Sequence, residues 1–186
     1  AHGAPLGRNG RGVLLLGDGG AGKSGTTLAG LSAGLQTAGD DYVAVDMRAG
    51  IVARSVFRVL KQDRAGLDRI GGLAARTAHL PENWQGKVEF DPEATFRGAF
   101  VDEIAIAAVL LPRLGQAREP RVVPVAAGEA MRTLMHTNLY QNTGSPDDGM
   151  AFFGALVRQV PCYQLALSTD ARANGACLAA VIDGLR

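Results

Sequence analysis

The sequence of 186 residues predicts an α/β fold built on a mixed β-sheet. Short apolar runs typical of buried strands alternate with longer segments of helical periodicity. The alternation is irregular, which favours a mixed sheet over a strictly parallel, doubly wound one. Hydrophobic residues make up 47% of the chain and charged residues 20%, as in an ordinary globular domain. We therefore expect one domain over residues 1–186. Since the chain begins at Ala1 without a methionine, we also expect that it lacks an upstream segment.

The first elements follow from local patterns. Residues 12–16 (GVLLL) form an apolar run that ends at a glycine turn, which predicts a buried strand. Residues 23–33 have helical spacing of apolar residues, and Gly34 is placed to end that helix. Residues 41–45 (DYVAV) are predicted to form the next strand.

The remaining elements are less regular but can be assigned in order. Residues 51–60 are predicted as a strand leading into a short helix, 64–76 as a helix, and 81–91 as loop and strand. The apolar run 104–111 is the strongest later candidate for a strand buried on both faces. The C-terminal part is predicted to contain strands at 122–125 and 162–168 and helices at 126–135, 150–160 and 173–185.

Composition and charge exclude several classes of function. A net charge of +1 gives no general electrostatic basis for binding nucleic acid or a membrane surface. The longest uncharged apolar run, residues 104–112, is far shorter than the roughly 20 residues of a membrane-spanning helix. No signal peptide pattern is present, and Cys162 and Cys177 have no metal-binding spacing. We expect a reduced, cytoplasmic protein.

The strongest motif in the chain is G-x-x-x-x-G-K-[S/T], which is matched without a gap by residues 17–24. A predicted strand precedes the motif and a predicted helix follows it, as a phosphate-binding P-loop requires. The glycines allow successive backbone N–H groups to converge on phosphate oxygens. We predict that ATP is bound by Gly17, Asp18, Gly19, Gly20, Ala21, Gly22, Lys23, Ser24 and Gly25.

Two residues of this loop are expected to act on the phosphates directly. Lys23 is predicted to reach the β- and γ-phosphates, and the Ser24 hydroxyl to bind Mg²⁺. Of the 19 basic residues only three are lysines, namely Lys23, Lys61 and Lys87. A lysine retained in an arginine-rich chain suggests a need for a compact ammonium group.

Paired carboxylates, Asp40 and Asp41, follow the predicted helix. Adjacent residues on a strand point to opposite faces. One carboxylate can therefore hold Mg²⁺ while the other takes the proton of an attacking hydroxyl. The residues alone do not decide which aspartate is the metal ligand and which is the base. The simpler alternative is that both lie in a solvated turn without a catalytic role.

Five segments follow one another along the chain, namely His2-Gly3, Gly12-Val13-Leu14, residues 17–24, Gly34 and Asp40-Asp41. In their order and spacing they resemble the bacterial HPr kinase/phosphorylase family, which shares its P-loop kinase core with phosphoenolpyruvate carboxykinases. The resemblance implies that His2 and Lys23 are active-site residues, that Ser24 meets Mg²⁺ and that Asp41 is the base. Asp40 is then the candidate metal-side carboxylate. Gly25 replaces the usual glutamate, and the late Gly-Arg-Asn loop tied to phosphorolysis is absent.

Further segments look like the shorter HPr-kinase-like serine kinases of peptide-biosynthesis gene clusters, including those for lasso peptides. These are residues 39–43, 55–61, 109–113 and 161–165. The likeness implies transfer to the C-terminal serine of a precursor peptide. Lys61 and Arg113 are candidate contacts for phosphate or acceptor, with solvated surface cations as the alternative.

The sequence therefore predicts an ATP- and Mg²⁺-dependent serine kinase whose partner is a peptide or protein with an acceptor serine. A small-molecule kinase on the same core is one alternative. The other is a nucleotide-dependent switch without phosphoryl transfer. The paired aspartates favour a kinase, since a switch needs only the metal ligand. A homo-oligomer is left open.

Overall fold

In the part of the chain that the structure describes, a mixed β-sheet of eight strands with helices on both faces forms the framework. The structure, a computed structural model, describes residues 1–138 and 146–185. The predicted α/β fold with a mixed sheet is thereby confirmed.

The strands are short except for one that crosses the middle of the sheet. They are β1 (Ala4–Arg8), β2 (Arg11–Leu15), β3 (Gln36–Thr37), β4 (Val43–Asp46), β5 (Val52–Ser55), β6 (Leu60–Gln62), β7 (Val88–Phe90), β8 (Glu103–Arg113), β9 (Arg121–Pro124) and β10 (Cys162–Ala166). The helices are α1 (Lys23–Ser32), α2 (Arg64–Asp68), α3 (Leu73–Thr77), α4 (Pro92–Thr95), α5 (Ala127–Asn138), α6 (Pro146–Gln159) and α7 (Ala171–Gly184).

The main sheet is organised around β8. Its strand order is β3-β1-β2-β8-β10-β9, and β8 runs parallel to both β2 and β10. The first part of β8 also pairs antiparallel with β5, which in turn pairs with β4. Strands β6 and β7 form a separate two-stranded sheet. The long strand β8 thus connects β2, which precedes the P-loop, with the β4–β5 pair, which follows the paired aspartates.

A β-bulge in β8 changes which of its later side chains point to each face of the sheet. Gly12 of β2 is opposite Ile106, whereas the next residue, Val13, is opposite Ala108, so Ala107 is the extra residue. An extra residue reverses the faces to which the following side chains point. Ile106 before the bulge and Val109 after it therefore belong to the same hydrophobic cluster.

The two sheet faces have separate hydrophobic cores. Helices α1 and α7 cover one face and α5 and α6 cover the other, so the apolar run of β2 is buried on both sides. The first core includes Val13, Leu15, Leu28, Leu31, Leu110, Leu178 and Ile182. The second includes Leu14, Leu16, Val109, Leu134, Phe153 and Leu156.

Several predicted elements differ from the structure. The helix predicted within residues 51–60 is wrong: β5 ends at Ser55 and the chain reaches β6 without a helical turn. The helix predicted at 64–76 is divided into α2 and α3, with Gly72 adopting a left-handed φ of 75° between them. The strand predicted at 41–45 begins two residues later, at Val43, because the paired aspartates lie in a bend.

Other elements match their predictions closely. The predicted strand and helix around the P-loop correspond to β2 and α1, and the later helices and strands lie within a few residues of their predicted positions. Strands β1, β3 and β6 and helix α4 were not predicted, and β3, β6 and α4 are too short to show periodicity. Within residues 1–138 and 146–185, none of the helices has the length and hydrophobicity required to cross a membrane.

The packing of α7 on α1 gives a stability prediction. A methyl group at Gly175 would lie 2.3 Å from the Ala29 carbonyl oxygen, so Gly175→Ala should lower the free energy of unfolding by roughly 1–3 kcal/mol. Gly184, in the same helix, has open space around it, so Gly184→Ala should be neutral or stabilise by roughly 0.4–1 kcal/mol. Urea denaturation of both variants measures this. Equal effects would show that α1 and α7 do not pack this closely.

Candidate active site

The candidate site lies where three parallel strands end. Strand β2 leads into the P-loop, and β8 and β10 run parallel to it, so their carboxyl ends share one edge of the sheet. A side chain on Gly22 would lie 2.8 Å from Leu167, the residue after β10. The loop therefore rests directly on the end of β10, and any larger residue at position 22 would push it away.

The loop has the backbone conformation of an anion-binding nest. Gly20 and Gly22 have positive φ angles of 81° and 98°, a region that favours glycine. In the described part of the chain, the N–H groups of Gly19, Gly20 and Gly22 donate no hydrogen bond. Helix α1 begins at Lys23 and directs the positive end of its dipole at the same place. The arrangement suits a polyphosphate.

Lys23 closes over this loop. Its ammonium donates hydrogen bonds to the carbonyl oxygens of Gly17, at 2.6 Å, and Asp18, at 3.1 Å. Burial lowers the pKa of Lys23, and the neighbouring carboxylates of Asp40 and Asp41 oppose that effect. The cation is thus held at the mouth of the loop, within the field of both paired aspartates.

Asp40 is the most buried carboxylate of the site, with 4% of its surface exposed. Burial raises its pKa to about 7, although the Lys61 amide and the Ser24 and Thr27 hydroxyls favour the charged form. The Lys61 N–H donates to Oδ2 at 3.4 Å. Oδ1 is buried and has no hydrogen-bond partner among residues 1–138 and 146–185. An unpartnered, buried carboxylate oxygen beside a P-loop serine is a position where a cation would be favoured.

Asp41 has the opposite environment. Nε2 of His2 lies 3.1 Å from its Oδ1, and Nζ of Lys61 lies 3.1 Å from its Oδ2. The hydrogen bond from His2, supported by Lys61, holds the pKa of Asp41 at about 2 despite partial burial. Asp41 is therefore ionised at neutral pH and stays partly open to solvent. The pKa values of the two adjacent aspartates are thus shifted in opposite directions, upwards for Asp40 and downwards for Asp41.

His2 is fixed by contacts other than that with Asp41. Its ring stacks on Tyr42, with centroids 5.5 Å apart, and its backbone N–H donates to Oδ1 of Asn138 at 2.5 Å. Asn138 ends α5, and His136 in the same turn places Nδ1 2.8 Å from Oδ1 of Asp18. The end of α5 thus contacts both the P-loop and the His2 segment. Neither His136 nor Asn138 was predicted as a site residue, since nothing near them in sequence indicates the contact.

The residues present fit Mg²⁺ and ATP. In the described chain no three His, Cys, Asp or Glu side chains group into a metal site. Mg²⁺ needs only one or two carboxylates, however, when substrate phosphates and water supply the other ligands. The Ser24 hydroxyl and the unpartnered Oδ1 of Asp40 are oxygen donors of the required kind. The nest of N–H groups fits the phosphates of ATP.

Two predicted residues have neighbours outside the phosphate loop. Arg113 ends β8 at the same edge, but its guanidinium donates to Glu129 of α5 at 3.1 Å and is mostly exposed. Gly25 faces β6, since a methyl group there would lie 3.4 Å from Nε2 of Gln62. Lys61, by contrast, joins the site directly through Asp41.

A cavity of about 220 Å³ opens beside the two aspartates. Sequence patterns gave no sign of it, because its walls come from separate elements. Besides the aspartates and Lys61 it is lined by Tyr42, Phe57, Val59 and Glu89. A larger cavity of about 360 Å³ lies at the other end of α1, near Gly34, and contains none of the candidate residues.

Comparison with known proteins identifies the fold. No family model and no curated protein sequence matches the chain. Among solved structures, the Hpr(Ser) kinase/phosphatase from Coxiella burnetii matches with a TM-score of 0.53 and 14% sequence identity. The match covers 98% of this chain and 88% of the other. The chain therefore has the fold of an HPr(Ser) kinase/phosphatase.

The environment of Asp40 predicts how stability depends on pH. Because folding raises the pKa of Asp40 from 3.8 to about 7, its contribution to stability is largest at low pH and is lost as pH rises through 7. Asp40→Asn removes this dependence. Without Mg²⁺ or nucleotide, the unfolding free energy of wild type should fall by roughly 2–3 kcal/mol from pH 5 to pH 8, relative to that of Asp40→Asn.

The control is Asp41→Asn, measured by urea denaturation over the same range. The pKa of Asp41 is lowered to about 2, so its contribution is complete above pH 4 and is lost only in stronger acid. The pH profile of Asp41→Asn should therefore remain close to that of wild type. Parallel profiles for wild type and Asp40→Asn would contradict the burial of a titrating carboxyl group.

Proposed function

We propose that this protein is an ATP-dependent kinase that transfers the γ-phosphate to a serine hydroxyl of a peptide or protein. One observation carries the proposal: beside the P-loop, a buried carboxylate and an ionised, accessible one occupy consecutive positions. A nucleotide switch needs a metal ligand but no second carboxylate at the γ-phosphate. The HPr(Ser) kinase/phosphatase fold is consistent with this choice.

Binding of ATP is assigned to residues 17–25 and to Lys23. The free N–H groups of the loop would hold the phosphates, and Lys23 would exchange its carbonyl contacts for phosphate oxygens. Ser24 and Asp40 would hold Mg²⁺, which when bound neutralises charge on the phosphates. The cost of burying Asp40 in its charged form would then be offset by the cation.

Asp41 is assigned as the base. It would accept the proton of the serine hydroxyl while the serine oxygen bonds to the γ-phosphorus and the bond to ADP breaks. Phosphoryl transfer passes through a loose transition state with little covalent chemistry for the protein to do. An ionised carboxylate that orients the hydroxyl therefore suffices, even with a low pKa. His2 and Lys61 hold Asp41 in that orientation through its two oxygens.

The acceptor is proposed to be a serine of a peptide, with the C-terminal serine of a lasso peptide precursor as the candidate that the sequence favours. We propose that the protein acts in the cytoplasm. Asp41 lies at a cavity open to solvent, which would admit a peptide side chain from outside. A small-molecule alcohol would enter by the same opening, and transfer to such alcohols is the second candidate activity.

Replacement of Lys23 tests the nucleotide site. Lys23→Ala removes the ammonium from the phosphate loop, so we expect weak or absent ATP binding and no turnover, with the fold retained. Arg97→Ala is the matched control, because Arg97 lies at the cavity near the other end of α1 and its loss removes the same charge. Calorimetry measures ATP affinity, and circular dichroism checks folding. ATP affinity unchanged in folded Lys23→Ala would rule out the P-loop assignment.

Replacement of the two aspartates tests the transfer step. Asp41→Asn should leave Mg²⁺-ATP affinity within a few-fold and lower transfer to serine peptides by roughly 10²–10⁴-fold. Asp40→Asn should instead weaken the dependence of ATP binding on Mg²⁺. Single-turnover transfer from labelled ATP and calorimetric affinity separate the two. Wild-type protein that binds ATP yet labels no peptide, protein or small alcohol would favour the switch.

A further inference from the structure

The cavity beside the aspartates has apolar walls that face solvent. Phe57 is 56% exposed and Tyr42 is 38% exposed, although large apolar side chains of folded proteins are usually buried. Both residues line the 220 Å³ cavity together with Val59. These three side chains offer an apolar surface against which an apolar group of a ligand can pack.

The position of the cavity connects it to the transfer step. Its floor includes Asp41, the proposed base, and Asp40, whose Oδ1 is buried and unpartnered within the described chain. A hydroxyl placed at Asp41 is therefore within the cavity, and a neighbouring side chain of the same peptide can reach the apolar walls. A volume of about 220 Å³ is sufficient for one large side chain, such as leucine or phenylalanine, beside the hydroxyl.

The charges of the cavity disfavour an acidic neighbour. Asp40, Asp41 and Glu89 line it. With Asp40 neutralised by Mg²⁺, two carboxylates remain, those of Asp41 and Glu89, against the single ammonium of Lys61. That ammonium is already paired with Asp41 at 3.1 Å, and Glu89 is held by a hydrogen bond from Asn83 at 2.7 Å. A side-chain carboxylate entering the cavity would meet like charge without a free cation.

We propose that the cavity is a specificity pocket that selects an acceptor serine whose preceding residue has a large apolar side chain and rejects one preceded by an acidic residue. The proposal rests on the proposed serine kinase activity and names its substrate class. The apolar side chain would cover Phe57 and Tyr42 while the serine hydroxyl reaches Asp41.

Peptide binding tests the pocket separately from catalysis. Two sets of peptides carry an X-Ser pair, one set ending in the serine and one continuing with glycine, with Leu, Phe, Gly or Glu as X. Affinity is measured by fluorescence anisotropy with Mg²⁺ and a non-hydrolysable ATP analogue. In at least one set, Leu or Phe should bind roughly tenfold or more tightly than Gly, and Glu should bind more weakly than Gly.

A pair of variants locates the effect. Phe57→Ala should reduce the preference for Leu and Phe over Gly to roughly threefold or less, with ATP affinity unchanged. Val56→Ala is the matched control, because Val56 is adjacent and 48% exposed but does not line the cavity. Its preference should equal that of wild type.

Each outcome decides between the two proposals. Equal affinity for all four residues, no binding by either set, or an equal loss in Phe57→Ala and Val56→Ala would overturn the pocket. Any of these results would overturn the pocket even if labelled phosphate is transferred to the peptides, in which case the kinase proposal stands. The predicted preference, without transfer from labelled ATP to any peptide, protein or small alcohol, would support the pocket and overturn the kinase.

Discussion

A carboxylate removed from water beside a phosphate-binding loop is the constraint on which the site depends. Asp40 is almost fully buried, and one of its oxygens has no partner in the described chain. Burial of an uncompensated charge is unfavourable, so the group either takes up a proton or acquires a cation. The pKa of about 7 places Asp40 near the balance between its protonated and ionised forms at neutral pH. Binding of a metal ion at this position would therefore be coupled to release of a proton.

The contrast between Asp40 and Asp41 shows how one bend can supply two chemical functions. The chain turns before β4, so one side chain points into the interior beside α1 while the next points to His2 and Lys61. Environment alone separates their pKa values, since the residues are chemically identical. Lys61 takes part in both environments, through its backbone N–H to Asp40 and its ammonium to Asp41. Strand β6 thereby fixes the relative position of the pair.

The parts of the site that the sequence predicted are those encoded by adjacent residues. The P-loop and the paired aspartates are contiguous, so their spacing alone indicates chemistry. The cavity was not predictable, because Phe57 and Glu89 meet only through tertiary packing. The contact of Asn138 with His2 is equally non-local. In the fold, the bulge at Ala107 depends on pairing with β2, which a single strand pattern does not reveal. The helix predicted within residues 51–60 failed because no apolar stripe faces a core there, and Phe57 is exposed.

The contacts at the end of α5 have a consequence for the order in which parts of the protein fold during synthesis. The hydrogen bond from His2 to Asn138 spans 136 positions, and that between Asp18 and His136 spans 118. Contacts so distant in sequence form late, because closing long loops carries an entropic cost that only later packing offsets. The P-loop sequence leaves the ribosome before β8, β10 and the last turn of α5. A nascent chain therefore contains the phosphate-binding sequence before it contains the strands and the helix end that support it. Binding of nucleotide is then a late event in folding.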